Sequence, residues 1–193
     1  MKPINGLVAA EWDVQSISHG EIEHFCRLWH YSHSAPNTAT YRHGLVYVST
    51  WQHLGGVIWI PPMKSAAVAL VGEDSWQGVL SCSRLVVAPE CPTNAASFLL
   101  GRSMRLIDRE RWPVLVTYAD TRLGHTGAIY RATNWRCDGE VPAGDVWVNA
   151  AGEQRGRKRG GRTLLASQMR DLGFVRAEPM PKIRFVHDVR VTP

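Results

Sequence analysis

The chain has 193 residues, 45% of them hydrophobic, and a formal net charge of +5 at pH 7. This length suits one sizeable domain spanning residues 1–193, and no apolar run approaches the roughly 18 residues of a membrane-spanning helix. The positive charge points weakly to a polyanionic partner. The four cysteines show no CxxC spacing and the N-terminus has no signal-peptide pattern. We therefore expect free thiols, no zinc knuckle and a cytoplasmic protein.

The first half of the chain predicts one helix and an antiparallel pair of strands. Residues 20–30 carry apolar side chains at the spacing of a single helical face. Residues 41–49 and 54–60 are two β-rich runs, and Pro61-Pro62 closes the second. The short gap between the runs and the prolines after them are typical of two antiparallel strands.

The second half predicts strands that alternate with helices. Residues 80–87 form a strand-like run, and Asn94 stands at the N-cap position of a helix that continues to about residue 106. A short apolar β-branched run at 113–118 predicts a covered strand. Strand, helix and strand in this order imply a parallel pair joined by a crossover. The remaining predicted elements are a strand at 145–148, a helix at 163–172 and a last strand at 182–187.

The segment 118–135 is the main candidate for chemistry. It contains the end of the predicted strand at Asp120, a turn with glycines, and a short helix that carries Tyr130. Ligands of open α/β sheets bind at strand ends, so a carboxylate and a phenol here could act on a proton. The alternative is that Asp120 only caps the next helix.

Three other features are candidates for binding. Arg84 interrupts an apolar strand, where a charge is costly unless it is paired or faces a cleft; the alternative is a side chain that alternates out to solvent. Ser97 and Ser103 lie six residues apart on one predicted helix and therefore point to different sides. Basic residues concentrate in a glycine-containing loop that could follow DNA phosphates: Arg155, Arg157, Lys158, Arg159 and Arg162.

The element order predicts an α+β fold with a mixed sheet. It resembles the acyl-CoA N-acyltransferase superfamily, a GCN5-related N-acyltransferase-like fold in which two parallel central strands splay apart and form the site. The predicted strands 80–87 and 113–118 correspond to that splayed pair.

Several sequence blocks together resemble the Mom family of phage DNA-modification proteins. The most specific is the 118–135 segment with its YAD and GHTGAIYRATNW runs. The other blocks are residues 30–36, 83–87, 94–103 and 182–186. The resemblance implies conversion of adenine N6 in double-stranded DNA to a carbamoylmethyl derivative, which protects the DNA from restriction. It also implies an iron dependence and leaves the donor open, either acetyl-CoA or another compound.

The resemblance implies roles for particular residues. Asp120, Tyr130, Arg84 and Ser103 are the catalytic candidates, and Arg84, Ser97 and Ser103 are the candidates for binding the donor. His30, His33 and Asp120 form a donor set of the kind that holds non-haem iron. Two departures concern the glycine-rich phosphate loop, which is replaced by residues 89–97, and the last strand, where Ile183 and His187 differ from the expected residues.

Two other functions remain open on the sequence. A conventional acyl-CoA-dependent N-acetyltransferase would share the fold, although the missing glycine loop counts against it. A non-catalytic DNA-binding module would need only the basic loop. If a base is flipped into the site, then Trp135, Tyr31 and Tyr41 are the candidates for stacking on it.

Overall fold

The computed structural model describes residues 6–142, 145–159, 162–178 and 180–190. Its regular elements, in chain order, are β1 (Trp12–Ser16), α1 (His19–Trp29), β2 (Tyr41–Tyr47), β3 (Gln52–Ile60), α2 (Lys64–Val71), β4 (Val79–Val87), α3 (Ala95–Arg105), β5 (Val114–Asp120), α4 (Ala128–Arg131), β6 (Arg136–Val141), β7 (Trp147–Asn149), β8 (Gln154–Arg155), β9 (Lys158–Arg159), β10 (Arg162–Thr163), α5 (Ala166–Asp171), β11 (Phe174–Arg176) and β12 (Lys182–Asp188). The predicted α+β class is confirmed.

The centre of the fold is a seven-stranded sheet with the order β1-β2-β3-β4-β5-β12-β6. The predicted antiparallel pair β2–β3 is present, and β4 and β5 form the predicted parallel pair. The last strand, β12, lies antiparallel between β5 and β6. A small sheet of order β11-β7-β8 and a two-stranded ribbon of β9 and β10 complete the strand pairing.

Helices cover both faces of the large sheet. Leu99 and Leu100 of α3 pack with strand residues such as Leu80 and Leu115 in the largest core cluster. On the opposite face, α1 packs on the β3–β4 region and α2 on the β4–β5 region. The alternation along β5, where Val114 and Val116 face α2 while Leu115 faces α3, is the period-two pattern of a covered strand.

A β-bulge at Ser83 changes which side chains of β4 face which helix. Ile58 pairs with Arg84 and Trp59 with Cys82, so Ser83 is the extra residue. Cys82 belongs to the α3-side core, whereas Val86 packs with α1. Because one extra residue reverses the alternation, Arg84 shares the α1 face with Val86 instead of the α3 face.

Several details differ from the sequence-based expectations. Asn94 does stand at the N-cap of α3, but its side chain makes no capping bond and instead accepts from the Leu7 amide at 2.9 Å. The basic run at 155–162 contributes to β8, β9 and β10 instead of forming one open loop, and its Gly160-Gly161 lies outside the described residues. Helix α2 was not predicted. Among the described residues, no helix combines the length and the apolar character that crossing a bilayer requires.

Candidate active site

The parallel strands β4 and β5 separate after a short stretch of pairing. Their register covers only Val79 to Ser81 on β4. One residue further on, the Thr117 hydroxyl donates to the Cys82 carbonyl at 3.2 Å. A side-chain hydrogen bond thus replaces the backbone ladder where the strands diverge, and a gap opens beyond it. This is the predicted splay.

A cavity of about 470 Å³ occupies this gap, and we call it the central cavity. Its walls come from the end of α1, from β4 and β5 beyond the splay, and from the loop and short helix after β5. The polar side chains among its lining residues are His30, Tyr31, Ser83, Arg84, Thr117, Tyr118, His125, Thr126 and Tyr130. The structure therefore brings Arg84 and Tyr130 together, as the sequence predicted.

Arg84 is held by neutral acceptors. Its Nε donates to the Ser34 carbonyl at 2.9 Å, and its Nη1 donates to the Ser83 carbonyl at 2.7 Å. Within the described part of the chain, Arg84 makes no ion pair with a carboxylate. A fixed guanidinium without a carboxylate partner at the wall of a cavity is suited to pair with an anionic group of a ligand.

Tyr130 is poised as a hydrogen-bond donor. Its ring packs against Phe185 and Trp135, with ring centroids 5.2 and 5.9 Å away. Burial raises the pKa of Tyr130 well above its ordinary value of 10.0; nearby Cys82 raises it further, and a hydrogen bond with Thr117 opposes the rise. The phenol therefore keeps its proton at neutral pH, so it can donate to a leaving group or an oxyanion but is not a base.

Asp120 lies in an adjoining cavity of about 630 Å³, the lateral cavity, which shares Tyr31 and Arg84 with the central one. The carboxylate is buried and its Oδ2 lies 3.1 Å from Lys182 Nζ. Its Oδ1 accepts from the Arg122 amide at 3.2 Å, so Asp120 caps the single turn Thr121–Leu123, whereas α4 follows Gly127 without a side-chain cap. The predicted site is thus divided between two neighbouring cavities.

The three residues expected to bind iron do not form a metal site in this structure. His30 Nδ1 accepts from the Ser32 amide at 3.1 Å, which places its proton on Nε2. Coordination through Nε2 would then require both ring nitrogens to be unprotonated, an imidazolate. His33 donates its Nδ1–H to the Arg27 carbonyl, which leaves its Nε2 free to ligate, but Asp120 is paired with Lys182.

No group of three or more His, Cys, Asp and Glu side chains in the described ranges could hold a metal ion. Burial, followed by the charge of Arg84, lowers the pKa of His30 to about 4. His30 is thus a neutral ring that contributes to the wall of the central cavity. The residues present do not fit the iron that the family resemblance implies, and we derive no step through a metal.

The two serines of α3 lie apart from the central and lateral cavities. Ser103 is fully buried, and its Oγ accepts from Trp59 Nε1 at 2.8 Å and bonds to His43 Nδ1 at 2.7 Å. Ser97 Oγ donates to the Asn94 carbonyl and lines a different cavity beside α3. The structure therefore does not bring either serine to Arg84 and Tyr130, although it confirms that they point to different sides.

The turn between β4 and α3 differs from a glycine-rich phosphate loop, as the sequence indicates. Pro89 and Pro92 carry no N–H group. The amides of Cys91 and Ala95 donate to the carbonyls of Ala88 and Pro92 at 3.0 and 2.9 Å. These four positions therefore offer no N–H group to a phosphate, and we derive no step through coenzyme A.

Two arginines of the basic run are partly committed to protein contacts. Arg155 pairs with Glu153 at 3.0 Å and also lines the lateral cavity. Arg157 pairs with Asp145 at 3.4 Å. Arg162 is exposed, and the side chains of Lys158 and Arg159 lie outside the described atoms. DNA binding by this run stays a prediction.

Sequence reasoning did not single out several wall residues of the central cavity. Thr117 and Cys82 bracket the splay, and burial raises the pKa of the Cys82 thiol to about 12, so it stays protonated. Within an apolar strand, the sequence carries no signal that separates residues that line a cavity from residues that only fill the core. Tyr31, one of the three stacking candidates, lines both cavities between the rings of His30 and His125. Trp135 is buried in the core, and Tyr41 packs against that core.

Comparisons with known proteins agree with this fold. A family model described as the Mom protein family matches residues 11–170. None of the curated proteins matches the chain in sequence. Among solved structures, an N-acetyltransferase from Staphylococcus aureus Mu50 is similar, with a TM-score of 0.51 and 10% identity, over 92% of this chain and 98% of that one. A GNAT superfamily phosphinothricin acetyltransferase from Sinorhizobium meliloti, in complex with AcCoA, has a TM-score of 0.50 and 13% identity, over 95% and 93%. These likenesses confirm the predicted GNAT-like fold.

Proposed function

Because the chain belongs to the Mom protein family, we propose that it is a transferase that modifies adenine N6 in double-stranded DNA. The product would be N6-carbamoylmethyladenine, which protects the DNA from host restriction. The family match carries this proposal, since residues 11–170 include every residue that lines the central cavity. The cavity at the splay, with Arg84 and Tyr130 on its walls, supports it.

The size and position of the central cavity suit an extruded base. Adenine N6 is paired and stacked in a duplex, so a reaction there requires the nucleotide to be flipped out. A volume of about 470 Å³ is within the range of small-ligand sites. Tyr31, 40% exposed and in contact with two histidine rings, offers a face on which a base can stack.

The reaction forms a bond between N6 and a carbon of the donor, breaks the bond from that carbon to its leaving group, and releases a proton from N6. The N6 lone pair is delocalised into the ring, so positioning and removal of that proton are the demanding steps. We assign removal of that proton to Asp120, whose lateral cavity meets the central cavity at Tyr31 and Arg84. The phenol of Tyr130 donates to the leaving group, and Arg84 pairs with its negative charge.

Nucleoside mass spectrometry tests this function directly. DNA from cells that express the wild-type chain should contain a mass-shifted deoxyadenosine. Tyr130→Phe removes the hydroxyl but keeps the ring packing, and we expect its adduct yield to fall by about 10²-fold or more, the range for removal of a proton donor. The proposal fails if the wild type leaves all deoxyadenosine unmodified.

Two other functions make different predictions. A conventional N-acetyltransferase, favoured by the fold alone, should bind acetyl-CoA tightly in calorimetry and acetylate an amine. A DNA-binding module would bind DNA without modifying it, so neither the wild type nor any variant would produce a deoxyadenosine adduct. Asp120→Asn separates an enzyme from such a module, since in an enzyme it should abolish the adduct and leave DNA affinity unchanged.

A further inference from the structure

A third cavity, which we call the arginine cavity, lies beside α3. It has a volume of about 470 Å³, and its polar lining includes Ser97, Arg102, Arg105, Arg109, Thr133 and Asn134. Helix α4 has only four residues. The cavity lies between one face of α3, the segment 132–134 that follows α4, and the end of β12 at His187.

The charge of this cavity is strongly positive. Among the described residues, its lining contains three arginines and a histidine but no carboxylate. Arg102 and Arg105 are exposed and lie one helical turn apart. Neither forms an ion pair within the described part of the chain. Asp13 is a carboxylate whose charge interacts with that of Arg102. Its pKa is lowered mainly by hydrogen bonds from Gln15 and Val14, and the charge of Arg102 contributes least to that lowering.

Arg109 has a different role from the other two arginines. It is half-buried, and its Nη2 donates to the carbonyls of Pro113 and His187 at 3.0 and 3.3 Å. Burial lowers its pKa, and the charge of Asp188 opposes that change. Arg109 therefore ties the chain after α3 to the end of β12, while Arg102 and Arg105 remain available to a ligand.

The short segment 128–134 contributes to the walls of both the central cavity and the arginine cavity. Ala128, Ile129 and Tyr130 line the central cavity, and residues 132–134, which follow after Arg131, line the arginine cavity. The lateral cavity, lined in part by Arg155, adjoins the central cavity through Arg84 and Tyr31. Basic side chains thus line both the lateral cavity, which shares residues with the central cavity, and the arginine cavity, which shares its wall segment.

We propose that the arginine cavity binds phosphodiester groups of double-stranded DNA, at a place separate from the basic run at 155–162. The inference rests on the proposed function for its choice of polyanion. Two N–H groups of one guanidinium can donate to two oxygens of the same phosphate. Because Arg102 and Arg105 have no carboxylate partner, a phosphate can bind them without displacing an existing ion pair, so its interaction with them is more favourable than with arginines that are already paired. A duplex that delivers a base to the central cavity has its backbone on both sides of that base.

The test is a salt series of DNA affinity for the double variant Arg102→Gln/Arg105→Gln. The slope of log affinity against log salt should become shallower by about 0.9 for each phosphate that the variant no longer neutralises. For two such phosphates, the ratio of wild-type to variant affinity should shrink roughly tenfold between 50 and 200 mM salt. The matched control is Arg27→Gln/Lys64→Gln, which removes two exposed charges that pair with Glu23 and Glu73. It should keep nearly the wild-type slope.

Equal slopes for the variant and the control would overturn the inference, provided that all three proteins unfold at the same temperature. ADP is the second probe. If ADP binds the wild type, fails to bind the variant, and the DNA slopes are equal, then the cavity holds a soluble nucleotide and the inference is wrong. A wild type that binds DNA but forms no adduct refutes the proposed function alone, because the affinity comparison does not depend on the reaction.

Discussion

At the scale of single residues, Ser103 carries two buried hydrogen bonds rather than facing a cavity. Its Oγ accepts from Trp59 Nε1 and bonds to His43 Nδ1, and all three side chains are buried. Burial lowers the pKa of His43, so folding favours the neutral form of its ring. Ser103 thus joins α3 to β2 and β3 through groups that would otherwise lack partners.

We predict that Ser103→Ala destabilises the fold without a direct effect on catalysis. The substitution leaves the Trp59 and His43 nitrogens with one partner fewer in a buried site, which costs about 1–3 kcal/mol of unfolding free energy. Urea unfolding measures this decrease. Adduct yield per folded molecule should stay at the wild-type level. Full stability together with an abolished adduct would instead place Ser103 in the reaction.

The sequence was informative about residues whose environment is local and uninformative about those set by tertiary contacts. Asp120 was predictable because an acid at a strand end needs only the strand to be identified. Ser103 was predicted as a catalytic and donor-binding residue, because its bond to Trp59, 44 positions earlier in the chain, has no signal in the sequence. The protonation of His30 likewise depends on the Ser32 amide and on burial, which no spacing rule reveals.

At the scale of elements, the bulge in β4 and the turn before α4 decide where the site lies. Strands and helices with clear periodicity were predictable, including the parallel pair. Simple alternation, however, would place Arg84 on the same face as Cys82, and the extra residue at Ser83 reverses this. In the small sheet β11-β7-β8, β7 overlaps the strand predicted at 145–148, whereas β8 and β11 have two and three residues, too few to show a period.

Gly127 fixes α4 against the sheet, and we predict that Gly127→Ala displaces it. Gly127 has φ +79° and a Cβ there would overlap the buried ring of Phe185. Left-handed backbone and overpacking each cost an L-residue at least about 1 kcal/mol. Unfolding free energy should therefore fall by about 2–4 kcal/mol, and the adduct should disappear because Tyr130 lies one turn further on.

Gly124→Ala is the matched control for this prediction. Gly124 has φ +71°, but a Cβ there would meet no atom within 4 Å. The control should show only the backbone cost, about 1–2 kcal/mol. If the two variants are equally stable, then the packing of Gly127 against Phe185 does not hold α4 in place.

At the scale of the whole molecule, buried histidines should make the fold sensitive to mild acid. Burial lowers the pKa of His30 to about 4 and lowers those of His43 and His187 below 6.5. Below pH 6.5 the unfolded chain binds protons that the folded chain does not. The contribution of these histidines to the free energy of unfolding is therefore fully present above pH 6.5 and is lost as the pH drops. The loss is at most about 1.4 kcal/mol per pH unit for each histidine.

Urea unfolding between pH 7.5 and 4.5 measures this dependence, and His30→Asn isolates one contribution. The asparagine Oδ1 can accept from the Ser32 amide in place of Nδ1, but it does not titrate. The variant should lose stability less steeply than the wild type as the pH falls from 6.5 towards 4.5. The free energy of unfolding of the variant should still fall with pH, because His43 and His187 still contribute to the slope. Parallel curves of stability against pH for the two proteins would mean that His30 has the same pKa in the folded and unfolded chains. It would then take up a proton in the folded chain over this pH range, contrary to the hydrogen bond that its Nδ1 accepts.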